Sequence, residues 1–148
     1  MSQLLLAALL VAPPGKEPDH VVVTPADVKW VDAPASLPKG AQVALLEGDP
    51  AKDGPFVMRV KLPDGTRIMP HTHPEDERVT VLGGTLYLGM GARFDEKRAT
   101  EMPAGAYGRT LAGVQHFGWV KGETVLKLHG TGPWAVEYVS PADDPRKK

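Results

Sequence analysis

Met69-Pro70-His71-Thr72-His73-Pro74-Glu75-Asp76-Glu77 is the stretch on which the fold of this chain turns. The chain has only five histidines, and two of them stand here two positions apart. Alternate residues of a β-strand share one face, about two strand rises apart, so both imidazoles can converge on one ion. That spacing is useful only on a strand. Pro74 then forces a turn, and Glu77 opens the next apolar run with its carboxylate free to point back toward the imidazoles. Glu75 and Asp76 compete with it from the same turn, and its place at a strand start favours Glu77. Two imidazoles and one carboxylate with positions left open are the ligand set of non-haem iron, and they suit Mn, Cu, Ni or Zn as well. His116, which opens an apolar run ending in Trp119-Val120, is the candidate fourth ligand.

Outward from this stretch the chain reads as short alternating runs broken about every ten residues by glycine, proline or aspartate, the pattern of a β-sandwich or barrel. Strands are expected at 21–23, 43–47, 56–62, 67–71, 78–82, 85–90, 107–111, 116–120, 124–129 and 134–139. Turns are expected at Pro63-Asp64-Gly65, Gly83-Gly84, Ala112-Gly113, Lys121-Gly122 and Gly130-Thr131-Gly132-Pro133, where glycine can take positive φ. Residues 92–100 read as a solvated connection with room for one helical turn, since Asp95 and Glu96 precede Lys97 and Arg98 in the order a helix dipole favours.

Composition bounds the function. A chain of 148 residues fits one domain, with 42% hydrophobic residues to fill its core. Seventeen basic residues nearly cancel eighteen acidic ones, so no charge footprint points to nucleic acid or an anionic membrane, and a small molecule is the expected partner. The chain has no cysteine, which removes disulfides, thiolate ligands, Fe–S clusters and a cysteine nucleophile together. Any metal must therefore rest on His, Asp or Glu. Sixteen glycines and fifteen prolines, about a fifth of the chain, fit an all-β domain with many turns.

Both ends stand apart from residues 20–140. Residues 1–19 carry an apolar run at 4–12, too short to span a membrane but of signal-peptide length. Met1-Ser2-Gln3 lacks a basic residue, so two readings stay open: export to the periplasm, or a cytoplasmic protein whose run packs on the barrel or a partner subunit. Residues 141–148, charged and proline-bearing, are expected as a mobile surface tail.

At the level of motifs the chain resembles the cupins. Gly65-x5-His71-Thr72-His73-x3-Glu77-x6-Gly84 matches their first motif at every defined position. Gly105-x5-Leu111-Ala112-Gly113-Val114-Gln115-His116 is similar to the second, with Leu111 in place of proline and Val120 in place of asparagine. Glycine and histidine keep their spacing, so the departures touch the turn more than the ligand. The resemblance extends through His129–Trp134 to small single-domain bacterial cupins. It implies an all-β, single-domain cupin-type β-barrel (a double-stranded β-helix or jelly roll), homodimeric, with one divalent transition metal on His71, His73, Glu77 and His116. It implies no single activity, since cupins include dioxygenases, isomerases, lyases, decarboxylases and proteins that only bind.

Counting parity from His71 and Glu77 predicts that Met69, Val79 and Val81 face inward and that Thr72, Arg78 and Thr80 face away, leaving a mostly apolar pocket. His129, Lys127 and Glu75 are the available candidates for an acid or base beside the metal. Arg59 is read as outward-facing, and the tryptophans as packing or dimer-interface residues. The leading expectation is an oxygenase or oxidase of the iron-dioxygenase kind acting on a small molecule. Its rivals are a non-redox lyase, isomerase or hydrolase using the metal as a Lewis acid, and a non-catalytic metal- or ligand-binding module.

Overall fold

A computed structural model describes residues 19–148. Its strands are β1 (Val31–Asp32), β2 (Gln42–Glu47), β3 (Gly54–Leu62), β4 (Arg67–Thr72), β5 (Glu77–Met90), β6 (Thr100–Pro103), β7 (Tyr107–Thr110), β8 (His116–Gly132) and β9 (Glu137–Tyr138). Between and after them lie only short 3-10 turns.

The alternation read from the sequence decides which side of each strand is inside. β3 buries Phe56, Met58, Val60 and Leu62 and turns Val57, Arg59 and Lys61 away. β8 buries Thr124, Leu126 and Leu128 and turns Val125, Lys127 and His129 away. β5 buries Val79 and Val81, with Arg78 and Thr80 on the other side. Each inward aliphatic side chain contributes on the order of 1.5–3 kcal/mol when fully buried, so a one-residue slip of register would expose a whole row.

All nine strands join one antiparallel sheet. β5 and β8 form its spine, paired from Glu77↔Gly130 to Met90↔His116. β3 and then β4 pair with the free edge of β8, while β7 and β6 pair with the free edge of β5. The sheet curls around a core of Leu37, Val60, Leu62, Val79, Leu86, Val120, Leu126 and their neighbours. This is the all-β jelly-roll arrangement expected from the sequence.

Several local expectations are corrected. Gly83-Gly84 and Lys121-Gly122 do not end strands: β5 and β8 run through them, and the ladder between them shifts register at Gly83. Gly84 sits at φ +73, and a Cβ there would lie 2.3 Å from Thr124 Oγ1 and 2.5 Å from Glu123 O. The glycine therefore permits a bulge inside a long strand, where two shorter strands and a turn were expected. β8 likewise continues to Gly132, so the turn foreseen at 130–133 begins only at Pro133. Residues 21–23 form no strand, and Val21 and Val22 are exposed. The run at 134–139 shortens to β9, and β1 and β6 arise where none was foreseen, because their pairing partners supply what their sequences do not. The turn within 92–100 is a 3-10 turn, Glu96–Arg98, capped by Asp95, whose Oδ1 accepts from Lys97 N at 3.0 Å.

Residues 141–148, expected as a mobile tail, fold into two 3-10 turns seated on the barrel. Asp144 is buried and pairs with Arg146 at 2.8 Å, and Arg146 Nη2 donates to Val136 O at 3.3 Å. The apolar run at 4–12 lies outside the described residues. Among those described, no helix is long and apolar enough to cross a membrane.

Candidate metal centre

Three elements bring the candidate ligands together. His71 lies in β4, His73 just beyond its end, Glu77 opens β5 and His116 opens β8. His71 and His116 are direct cross-strand partners. All three histidines are buried, and their candidate ligand nitrogens lie within 4.8 Å of one another.

The backbone orients each ring in the same way. Nδ1 donates to Met69 O at 2.7 Å in His71, to Ala135 O at 2.7 Å in His73 and to Val114 O at 2.9 Å in His116. A carbonyl oxygen only accepts, so Nδ1 carries a proton in every ring and Nε2 is the nitrogen left for the centre. The Nε2 atoms of His73 and His116 are buried with no oriented hydrogen bond. Buried polar atoms are almost always satisfied, and orphaned imidazole nitrogens converging on one point fit an ion.

Glu77 stands beside the cluster, with Oε2 3.1 Å from His73 Nε2 and Oε1 4.0 Å from His116 Nε2. Trp134 Nε1 donates to Glu77 Oε2 at 3.1 Å, and its ring stacks on His73 at 5.2 Å. Burial opposes the charge on Glu77, but the three histidines outweigh it and hold the carboxyl down to about 2. Burial and the neighbouring imidazoles press His71 down to about 3. Burial also lowers His116. For His73 burial acts in the same direction, but contact with Glu77 reverses it and the pKa is raised. The set therefore comprises three imidazoles whose Nδ1 atoms are spent on carbonyls and one carboxylate, and a metal ion would be held by the Nε2 atoms and Glu77.

The residues preceding the ligands follow a different parity from the one expected. Between Ile68 and His71 the ladder with β8 shifts register, Ile68 facing Gly118 and His71 facing His116. This bulge adds one residue to β4, so Ile68 shares the cavity wall with His71 while Met69 faces a separate surface groove. Pro70, which has no N–H to leave unpaired, occupies the bulge. Val79 and Val81 face inward as expected.

The cavity is about 50 Å³. At about 10–15 Å³ for each water, that is room for a few waters or a molecule of a few heavy atoms. Its walls are hydrocarbon, from Leu37, Val60, Val79, Leu86, Phe117, Leu128 and similar residues. The polar side chains on it are the three histidines, Glu77, Thr110 and Trp134.

The other candidates fall elsewhere. Glu75 is exposed and off the cavity wall, and Asp76 is occupied by accepting from Ala112 N at 3.0 Å. His129 and Lys127 point from the outer face of β8, where burial, Lys127 and Arg78 hold the pKa of His129 down. Neither reaches the cavity. Arg59 lies on that same outer face, cross-strand from Lys127. Trp134, read as a packing residue, instead holds the carboxylate; the clue available in the sequence was that a buried indole N–H needs an acceptor.

A curled antiparallel sheet enclosing buried histidines from β4 and β8 defines the cupin class. The chain belongs to the ChrR cupin-like domain family, whose model matches residues 18–135. Among solved structures it is similar to the polyketide cyclase RemF from Streptomyces resistomycificus, at 22% identity and TM-score 0.66 over 85% of this chain and 89% of that one. It is also similar to an acetylacetone dioxygenase from Acinetobacter johnsonii, at 16% identity and TM-score 0.63 over 90% of this chain and 85% of that one. A third is the anti-sigma ChrR in complex with SigE of Rhodobacter sphaeroides, at 18% identity and TM-score 0.52 over 74% of this chain and 52% of that one. No curated protein matches the chain by sequence. At these identities the likeness concerns the fold.

Proposed function

We propose that the protein is a metal-dependent cupin that holds one divalent transition metal with His71, His73, His116 and Glu77 and oxidises a small organic molecule as an oxygenase or oxidase. One observation carries the metal: three buried rings each spend Nδ1 on a backbone carbonyl and turn Nε2 to a common point. Bound there, a redox-active ion supplies electron transfer to O₂ and polarises a substrate oxygen. The chain's own residues do the rest. Trp134 fixes the Glu77 carboxylate, the Nδ1–carbonyl bonds fix the rings, and the aliphatic wall keeps bulk water from the reacting atoms.

The oxidative reading is preferred because, among the described residues, the cavity wall offers no proton-transfer group besides the candidate ligands. His129, Lys127 and Glu75 all lie off it. A Lewis-acid isomerisation or elimination needs a separate acid or base within hydrogen-bond reach. The non-redox reading draws its support from the likeness to a polyketide cyclase, and the oxidative one from the likeness to an acetylacetone dioxygenase.

The test is elemental analysis of protein purified without added metal, with O₂ uptake on the same sample and a His71→Ala/His116→Ala control. Near-stoichiometric iron, copper or manganese, lost in the control and accompanied by O₂ uptake with small carbonyl compounds, is the expected result. Zinc or nickel without O₂ uptake supports the Lewis-acid reading. No metal in either protein removes both.

A further inference from the structure

Thr110 is a buried hydroxyl that the metal centre does not use. It ends β7 directly opposite Glu77 in the β5–β7 ladder, is only 6% exposed and lines the same cavity as the histidines. Its hydroxyl is not among the fully enclosed polar atoms and has no hydrogen-bond partner among the described residues, so it opens onto the cavity space. The other buried threonine shows the usual arrangement: Thr124 Oγ1 donates to Gly122 O at 3.1 Å and accepts from Thr85 N at 3.2 Å. Every other polar side chain on the cavity wall already has a task, either in the candidate ligand set or, for Trp134, as the donor to Glu77. The Thr110 hydroxyl is thus available to a molecule in the cavity, a hydrogen bond that valine in its place could not make.

We propose that Thr110 is the positioning residue for the molecule bound beside the metal, its hydroxyl hydrogen-bonding a second polar atom of a ligand whose first oxygen sits on the metal. The ligand class follows from the wall. Among the described residues no lysine or arginine lines the cavity, so nothing there but the metal balances an anionic group, and the remaining surface is hydrocarbon. A cavity of about 50 Å³ restricts the ligand to a few heavy atoms. The structure thus points to a short aliphatic compound with two oxygens, one for the metal and one for Thr110. This inference rests on the metal reading above.

The experiment uses the full chain loaded with Co²⁺, whose visible spectrum reports both metal binding and ligand entry. Its probes are hydroxypropanone, with two oxygens, and propanone, with one oxygen on the same carbon chain. Thr110→Val should leave Co²⁺ affinity and the Kd of propanone unchanged and weaken hydroxypropanone about tenfold, the loss of one net hydrogen bond. Thr110→Ser, which keeps the hydroxyl, should restore most of that affinity. Equal losses for both probes, or no loss for either, overturn the assignment, and so does a Thr110→Ser variant as weak as Thr110→Val. Binding of neither probe to the cobalt-loaded wild type overturns the ligand class. Failure of the wild type to take up Co²⁺ is a separate outcome that removes the metal reading and this one with it.

Discussion

His71 on β4 and His116 on β8 face each other directly across the ladder, with ring centroids 4.2 Å apart. Far apart in the chain, they become neighbours only because β4 takes over from β3 along the edge of β8. The bulge between Ile68 and His71 sets the register of that contact.

Metal binding should therefore be lost when either partner is removed. His71→Ala and His116→Ala should each abolish near-stoichiometric metal. Wild type should gain about 2.7 kcal/mol of unfolding free energy at a free metal concentration of 100 Kd, and the variants almost none. Urea titrations with and without metal measure both quantities, and an equal gain in the variants would place the ion elsewhere.

Trp134→Phe tests the support for Glu77. It removes the Nε1 donor at 3.1 Å while keeping a ring to stack on His73. Metal affinity should fall by about 10-fold, within the range found for groups that orient ligands. Competition against a chelator of known affinity reads this directly. An unchanged constant would mean that Glu77 is held without the indole.

Gly84→Ala should destabilise the fold by at least ~2 kcal/mol. Its φ of +73 costs a side chain about 1–2 kcal/mol, and its Cβ would also press on Thr124 and Glu123. Gly105→Ala separates the two causes, because Gly105 has φ +90 with nothing within 4 Å of its Cβ position. Chemical denaturation should show Gly105→Ala paying only for the dihedral. Equal losses in the two variants would remove the steric part.

Asp144 should make the barrel sensitive to acid. Hydrogen bonding to Arg146 lowers its pKa in the folded state. A carboxyl with a lowered folded-state pKa stabilises above its unfolded value, about 3.9, and that contribution disappears as pH falls through the folded value. Asp144→Asn should thus be less stable than wild type at pH 7, and the gap should close below about pH 4. Unfolding curves of both proteins from pH 7 to pH 3 give the comparison. A gap constant with pH would show that the Asp144 charge does not contribute.

Much of the placement of the candidate residues was legible because its signals are local. His71 lies in β4, His73 just past its end, and Glu77 opens the next strand, so three of the four candidate groups fall within one short stretch of chain. The Val79 and Val81 parity, the β3 alternation and the turn at Pro63-Asp64-Gly65 were readable for the same reason. Met69 was misplaced because a bulge has no fixed sequence signature and reverses parity for the residues before it. His129 was a reasonable candidate from its chemistry, yet its inward neighbours Leu126 and Leu128 fix it on the outer face.

By itself, then, the sequence determined the all-β class, the absence of thiolate chemistry and the residue types able to hold an ion, since these depend on composition and on contacts a few residues long. Only the tertiary structure decided that β5 and β8 run unbroken through their glycines, that Trp134 holds Glu77, and that Thr110 faces the cavity with its hydroxyl unspent. The physical reason is shared by all three. Each depends on which distant strand lies alongside, and that is settled by burying whole faces of the sheet together, a cooperative choice that no short window of sequence encodes.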